Sequence, residues 1–362
     1  MTKIICSPGS YIQGPGEIRK LAGYYSQLGT KGAYLIVDAF ILRTYREEIV
    51  SSFEAEHIPY SINEFGGECS MTEIKKHVSQ MGECDAVFGI GGGKTLDTAK
   101  GVGIAYGSSP CIIVPTAAST DAPCSRLAVL YTEDHAFDQY MPLHRNPDMV
   151  VVDTNIIAKA PVRFLMAGIG DAFATYYEAA ACEKKNAVTM TGGHCTKGGM
   201  ALAKLCLDTL YEDGLKAKAA AERQVCTQAL ENVVEANTYL SGVGFESGGL
   251  AAAHAIHNGL TNLEETHKYL HGEKVAFGAL TQLVLENRSM EEIEKAVRFL
   301  KACDLPVTLA DLNLQDADDA KLMIAAESAC APDDTMGNMP FEVTPEDVLS
   351  AMKAADQIAK QF

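Results

Sequence analysis

Four of the nine histidines fall within 18 residues: His254, His257, His267 and His271. Neutral imidazole is a common ligand for zinc and iron(II), so such a cluster invites a metal. His254 and His257 are spaced i, i+3 and His267 and His271 i, i+4, so either pair could share a helix face. The H-E-x-x-H pattern of zinc proteases is absent. Each imidazole taken singly also fits a helix-surface or packing role. A metal would need a carboxylate, and Asp171 stands out in Ala167-Gly168-Ile169-Gly170-Asp171-Ala172. It reads there as lying between a glycine-rich turn and an apolar helix. Asp is a favoured N-cap, and the residues alone leave that role ahead. His57, His77, His135, His144 and His194 are scattered among polar neighbours and are expected at the surface.

A second chemistry is suggested by Gly89-Ile90-Gly91-Gly92-Gly93-Lys94-Thr95, which follows an apolar run and opens a helical pattern. Glycines let the backbone approach a ligand, and a helix N-terminus offers free N–H groups to an anion such as a pyrophosphate. Two known phosphate motifs nearly fit and fail. The P-loop G-x4-G-K-[ST] misses by one residue, because position 88 is Phe88. The dinucleotide motif G-x-G-x-x-G would need glycine where Lys94 stands. A tight strand-to-helix turn without a ligand remains the alternative. Asp38 ends the run YLIVD, where an acidic side chain can accept from ribose hydroxyls and would repel the extra phosphate of NADP. An N-cap role is open to it as well. The stretch Thr116 to Ser125, which includes Ser119 and Asp121, crowds hydroxyls and a carboxylate after the apolar run ending at Val114. Ligand crevices of open α/β sheets lie at such strand ends.

The elements that must position these groups change in texture along the chain. Strands are expected at Ala33 to Val37, Tyr60 to Phe65, Ala86 to Ile90, Cys111 to Val114, Leu127 to Tyr131 and Met149 to Val152. Several are unbroken apolar runs, the pattern of strands covered on both faces. Helical patterns at Glu17 to Gln27, Met71 to Gln80 and Thr95 to Tyr106 fall between them, giving βαβ units and a mostly parallel sheet. After Pro161 alanine is abundant and the β-branched runs disappear. The expected organisation is an α/β nucleotide-binding domain over 1–161 and an all-helical domain over 162–362.

Composition narrows the function. The apolar share of 47% is enough for an ordered core, which excludes a disordered chain. The net charge of -17 repels phosphate backbones and anionic lipid, arguing against nucleic-acid or membrane partners. No apolar run approaches the ~18 residues of a membrane span, and no signal-peptide core is present, so a cytoplasmic protein is expected. The eleven cysteines include no C-x-x-C pair and read as reduced, mostly buried thiols.

Five stretches taken together, GIGGGKTLDTAK, PTAASTDAPCSRLAVLYT, AGIGDAFATYYEA, YLSGVGFESGGLAAAHAIHNGL and YLHGEKVAFG, resemble the motifs of the glycerol dehydrogenase family. That family belongs to the metal-dependent, iron-containing-type alcohol dehydrogenases. The resemblance runs from Ser7 to the C-terminal helix. It implies a Rossmann-like NAD domain and a helical domain in the dehydroquinate synthase-like arrangement, with the active site in the cleft between them. It implies Zn2+ on Asp171, His254 and His271, passing over His257 and His267. It places the NAD pyrophosphate on Gly92, Gly93 and Lys94 beside Thr95, and the ribose near Asp38. Thr116, Ser119, Ser125, Leu127 and Tyr131 line the remaining cofactor surface, and Asp121 faces the substrate. A homo-oligomer, an octamer in this family, is also implied. One departure concerns the metal. The iron-using branch has a histidine four residues after the Asp ligand, and here Thr175 stands in that place. Two histidines and one carboxylate with open positions suit catalytic zinc and also iron(II).

The implied reaction is glycerol plus NAD+ giving dihydroxyacetone plus NADH. Open metal positions would accept two adjacent hydroxyls, a physical reason for preferring vicinal diols. Dehydroquinate synthase shares the architecture but takes a phosphorylated sugar acid, which calls for several basic residues. Arg126 is the sole arginine around Asp121, and the histidine stretch holds only Lys268 and Lys274. A P-loop NTPase fails on its motif. A non-catalytic binding protein would not need both half-sites.

Overall fold

The computed structural model describes residues 1–134 and 137–362. The apolar runs form a six-stranded sheet from β1 (Ser10–Gly14), β2 (Ala33–Val37), β3 (Tyr60–Glu64), β4 (Ala86–Gly91), β5 (Cys111–Pro115) and β8 (Met149–Asp153). The order is β1-β8-β5-β4-β2-β3, and every neighbouring pair is parallel. β6 (Leu127–Tyr131) and β7 (Phe137–Pro142) form a separate antiparallel hairpin. The unbroken apolar runs have a simple cause. Tyr34 and Ile36 of β2 face one buried cluster while Ala33, Leu35 and Val37 face another. Strand side chains alternate between faces, so a sheet covered on both sides needs apolar residues at every position.

The first half carries α1 (Leu21–Tyr25), α2 (Ala39–Ala55), α3 (Met71–Gln80), α4 (Gly93–Ala105) and α5 (Thr154–Lys159). The pattern over Glu17 to Gln27 is split, since a 3-10 turn at Glu17–Lys20 precedes α1. The edge strand β1 and the hairpin strand β7 were not expected, because SYIQG and FDQYMP lack an apolar run. From Val162 onward the named elements are all helices: α6 (Val162–Lys185), α7 (Lys197–Glu222), α8 (Gln228–Glu235), α9 (Ser241–Gly248), α10 (Ala252–Leu260), α11 (His271–Leu285), α12 (Met290–Ala302), α13 (Asp319–Ala329) and α14 (Pro345–Ala359), with 3-10 turns and one π-helical turn at Ala236–Leu240. One face of the sheet and helices α6, α7, α11 and α12 share a single core that includes Ile113, Val150, Phe173, Leu210, Leu280 and Phe299.

Two features of this frame position a site. The connections from β2 to β3 and from β4 to β5 run in opposite directions across the sheet. A crevice opens where strand order reverses, outside the carboxyl ends of β2 and β4. Asp38 and Gly91 meet there: the Asp38 amide donates to the Ile90 carbonyl at 2.9 Å. The second feature is the crossing of α6 and α11. A Cβ on Gly170 would overlap the Gly272 carbonyl, and one on Gly272 would overlap the Ala167 carbonyl. Only paired glycines let these backbones approach so closely.

Candidate active site between the sheet and the helices

The Gly170–Gly272 crossing sets Asp171 beside the first residue of α11, His271. Asp171 is not an N-cap. It lies inside α6, fully buried, and the glycines before it are helical rather than a turn. Gly168 and Gly170 serve close packing, against the Ala118 and Gly272 carbonyls respectively. α10 brings His254 to the same point. Asp171 Oδ1 lies 3.3 Å from His254 Nε2 and 3.2 Å from His271 Nε2. One donor atom from each residue falls within a 4.8 Å cluster.

The electrostatics ask for a cation. His254 Nδ1 is held by Glu178 Oε2 at 2.6 Å, which turns Nε2 toward Asp171 Oδ1. Asp171 Oδ1 is buried without a hydrogen-bond partner. Burial opposes charge on Asp171, but His271 and His254 outweigh it and hold the carboxyl far below the usual range. Burial likewise opposes charge on His254, and Glu178 and Asp171 reverse the balance, raising it well above the ordinary imidazole range. An orphaned carboxylate oxygen facing two imidazole nitrogens fits a divalent metal.

Asp121 is drawn into this cluster. Its amide donates to Asp171 Oδ2 at 3.2 Å, and its Oδ2 accepts from the Ser241 hydroxyl at 2.7 Å. Burial and the neighbouring Asp171 push its carboxyl well above the usual range. Thr175 is one turn beyond Asp171, and its hydroxyl lies 2.8 Å from that of Ser241, so it serves this chain rather than the imidazoles. Asn237, in the π-helical turn, donates to the Ala118 and Leu165 carbonyls and ties the segment before Asp121 to α6.

At the sheet end, Gly92 caps α4 and Gly93 is its first helical residue. A Cβ at either would meet nothing within 4 Å, so the glycines leave open space in front of the helix N-terminus. The Lys94 ammonium lies 4.5 Å from the centre of the Tyr131 ring and 2.6 Å from Glu68 Oε2. Thr95 is buried behind the loop, against Gly91. Asp38 Oδ1 caps α2 through the amides of Phe40 and Ile41 while the residue stands beside Gly91, so it occupies an N-cap and the crevice together. The Thr116 amide donates to the Gly91 carbonyl at 3.0 Å, which places it next to the loop. Ser119 and Leu127 are half-buried, and the buried Ser125 hydroxyl donates to the Ala122 carbonyl at 3.1 Å. Asp38, Lys94, Thr95, Thr116 and Tyr131 thus gather around the loop, while Asp121 sits with the histidines.

Residues 8–154 match the model of the iron-containing alcohol dehydrogenase family. Over its full length the chain is 53% identical to a glycerol dehydrogenase of Escherichia coli O6:H1, covering 99% of that protein. The chain belongs to the glycerol dehydrogenases of the iron-containing alcohol dehydrogenase superfamily. Solved structures agree with this family. A glycerol dehydrogenase from Schizosaccharomyces pombe superposes with a TM-score of 0.95 at 38% identity, covering 99% of this chain and 92% of that one. A probable glycerol dehydrogenase from Sinorhizobium meliloti 1021 gives 0.93 at 44% identity, with full coverage of both chains.

Within this glycerol dehydrogenase fold several expectations from spacing are corrected. His267 and His271 do not share a helix. His267 follows a 3-10 turn and is exposed, its Nε2 3.0 Å from the Thr261 carbonyl, while His271 opens α11. His77 is not at the surface. It is fully buried, with Nδ1 2.9 Å from the Tyr34 hydroxyl and Nε2 2.9 Å from Glu73. His57 and His144 are exposed, His194 is half-buried, and His135 lies outside the described residues. Ser241, Asn237, Glu178 and Lys100 were missed. Glu178 stands two turns from Asp171 on α6, and that i, i+7 spacing was a usable signal. Lys100 is buried, and its ammonium binds Asp97, the Ala122 carbonyl and the Leu127 carbonyl at 3.0, 2.6 and 3.0 Å. It pins both ends of the segment after Asp121, and nothing in the sequence around it marks that role.

Proposed function

We propose that the chain oxidises glycerol to dihydroxyacetone with NAD+ as hydride acceptor, using a divalent metal held by Asp171, His254 and His271. The observation that carries this reading is the buried, unpartnered Asp171 Oδ1 facing two imidazole nitrogens, in a chain 53% identical to a glycerol dehydrogenase. Bound there, the metal supplies Lewis acidity that lowers the pKa of a coordinated hydroxyl, and NAD+ supplies the hydride acceptor. Glu178 fixes the His254 ring and keeps its Nε2 free as a ligand. Asp121 orients a substrate hydroxyl through Oδ1, since Oδ2 is occupied by Ser241. Gly92 and Gly93 offer amides to the pyrophosphate, with Lys94, Thr95, Thr116, Ser119, Ser125, Leu127 and Tyr131 around it. Asp38 meets the ribose and disfavours NADP.

We assign the metal as zinc. The family resemblance supports that choice, as does the engagement of Thr175 with Ser241, which removes a fourth protein ligand at that place; the donor set of two nitrogens and one oxygen also accommodates iron(II). We also propose a division at residues 161 and 162. It is supported by the last sheet strand ending at Asp153, with only α5 before α6 opens at Val162. A homo-oligomer, octameric as the family resemblance implies, and a cytoplasmic location complete the reading. No described helix is long and apolar enough to cross a membrane.

The test is NAD+ reduction over glycerol, 1,2-propanediol, 1,3-propanediol, 2-propanol and glycerol 1-phosphate, with metal-free and zinc-loaded protein. The 1,2-diols should lead by about tenfold or more in kcat/KM, the worth of one added contact. A lead by glycerol 1-phosphate, or equal rates without metal, overturns the assignment.

A further inference from the structure

His257 has no part in the proposed ligand set, yet it stands against it. The residue is buried, and its ring meets that of His271 nearly edge-on, with centroids 4.2 Å apart. Its Nδ1 lies 3.0 Å from Asn258 Oδ1. The orientation of that amide is decided on its other side. Asn258 Nδ2 donates to both oxygens of Asp334, at 3.3 and 3.0 Å. A carboxylate offers acceptors, so the amide nitrogen must face Asp334 and the amide oxygen must face the ring. In the neutral imidazole, Nδ1 therefore carries the proton and Nε2 keeps its lone pair.

Asp334 is anchored in turn. It accepts from the Thr335 amide at 2.6 Å, and the Thr335 hydroxyl donates to the Ala251 carbonyl at 2.7 Å. Asn338 Nδ2 donates to the Leu250 carbonyl at 2.8 Å. The turn after α13 thus clamps the start of α10 and holds the relay Asp334–Asn258–His257 in one tautomer. Among the described residues no hydrogen bond reaches His257 Nε2, and its ring packs beside that of His271, whose side chain is 38% exposed.

We propose that His257 Nε2 is a substrate contact, accepting a hydrogen bond from a polyol hydroxyl other than the one oxidised, with Asn258 and Asp334 as positioning residues. The proposal rests on the glycerol dehydrogenase reading. A polyol carries more hydroxyls into the cleft than a monohydric alcohol does, and each one left unpaired there costs binding. The Asp121 carboxyl offers one hydrogen-bond partner and His257 Nε2 a second. The site then selects polyols by hydrogen bonding as well as by the metal.

The experiment compares wild type with His257→Phe, His257→Gln and Asn258→Leu, as zinc-loaded full-length protein. KM and kcat are measured for glycerol and 2-propanol, together with metal content and NADH affinity. His257→Phe should raise KM for glycerol about tenfold. It should leave kcat/KM for 2-propanol, NADH affinity and one metal per chain unchanged. His257→Gln, with an amide oxygen as acceptor, should recover part of the loss. Asn258→Leu should show the same selectivity with a smaller loss. Equal losses on both alcohols, or a fall in kcat without a rise in KM, overturn the proposal. Loss of metal would make His257 a ligand and overturn it as well. A wild type that does not reduce NAD+ with glycerol refutes the underlying activity instead.

Discussion

The glycine loop after β4 and the buried cluster on α6, α10 and α11 are two ways of preparing for charge. In the loop, Gly92 and Gly93 leave open space in front of a helix N-terminus, and the attraction comes from backbone amides that any chain of the right shape presents. In the cluster, buried Asp171, Glu178 and His254 meet the half-buried His271, two carboxylates against two imidazoles. The loop is contiguous, and the amides it offers come from neighbouring residues. The cluster spans a hundred residues (171 to 271) and draws its donors from three separate helices. A site made of backbone can be local, whereas a site made of buried side chains has to be assembled by packing.

The sharpest way to test that contrast is to take one donor away. His271→Ala should abolish metal binding and lower kcat/KM for glycerol by about a thousandfold or more, the scale of a lost Lewis acid. Metal analysis and NADH absorbance read both effects. One equivalent of retained metal would remove His271 from the ligand set.

Glycines offer the next contrast. Gly170→Ala drives a Cβ into the Gly272 carbonyl and should cost about 3 kcal/mol of stability, because backbone cannot step aside. Gly93→Ala meets open space and should leave the melting temperature nearly unchanged while weakening NADH binding about tenfold. Thermal denaturation and NADH fluorescence would show opposite patterns in the two variants. If Gly93→Ala destabilised the fold and spared NADH, the loop would be a structural turn.

Glu178→Gln probes the support behind the cluster. Loss of its charge beside His254 Nδ1 should weaken zinc binding about ten- to a hundredfold with little change in NADH affinity. Competition with a chelator measures it, and unchanged affinity would show that Asp171 alone balances His254. The smallest effect is expected at Asp38. Asp38→Gly should narrow the preference for NADH over NADPH and cost a few tenths of a kcal/mol through the lost cap of α2. Equal affinities for the two cofactors in the wild type would already refute its assigned role.

What could be read in the chain alone was whatever is local. Unbroken apolar runs announced strands covered on both faces, and the glycines before Lys94 announced a strand-to-helix turn open to a ligand. The motif resemblance added the ligand set. Local pattern misled where contacts are distant. Gly168 and Gly170 looked like a turn because glycine ordinarily marks one, and that reading made Asp171 a cap. The structure keeps them helical because α6 must approach the Ala118 carbonyl and α11 without a Cβ between. Helical spacing likewise grouped His267 with His271, and the polar neighbours of His77 suggested an exposed side chain. Periodicity describes one element at a time. Which face of that element meets another, and which carboxylate ends beside which imidazole, depends on pairings across a hundred residues. Only the packed tertiary structure decides those, because burial of charge is tolerated only where the partner is already in place.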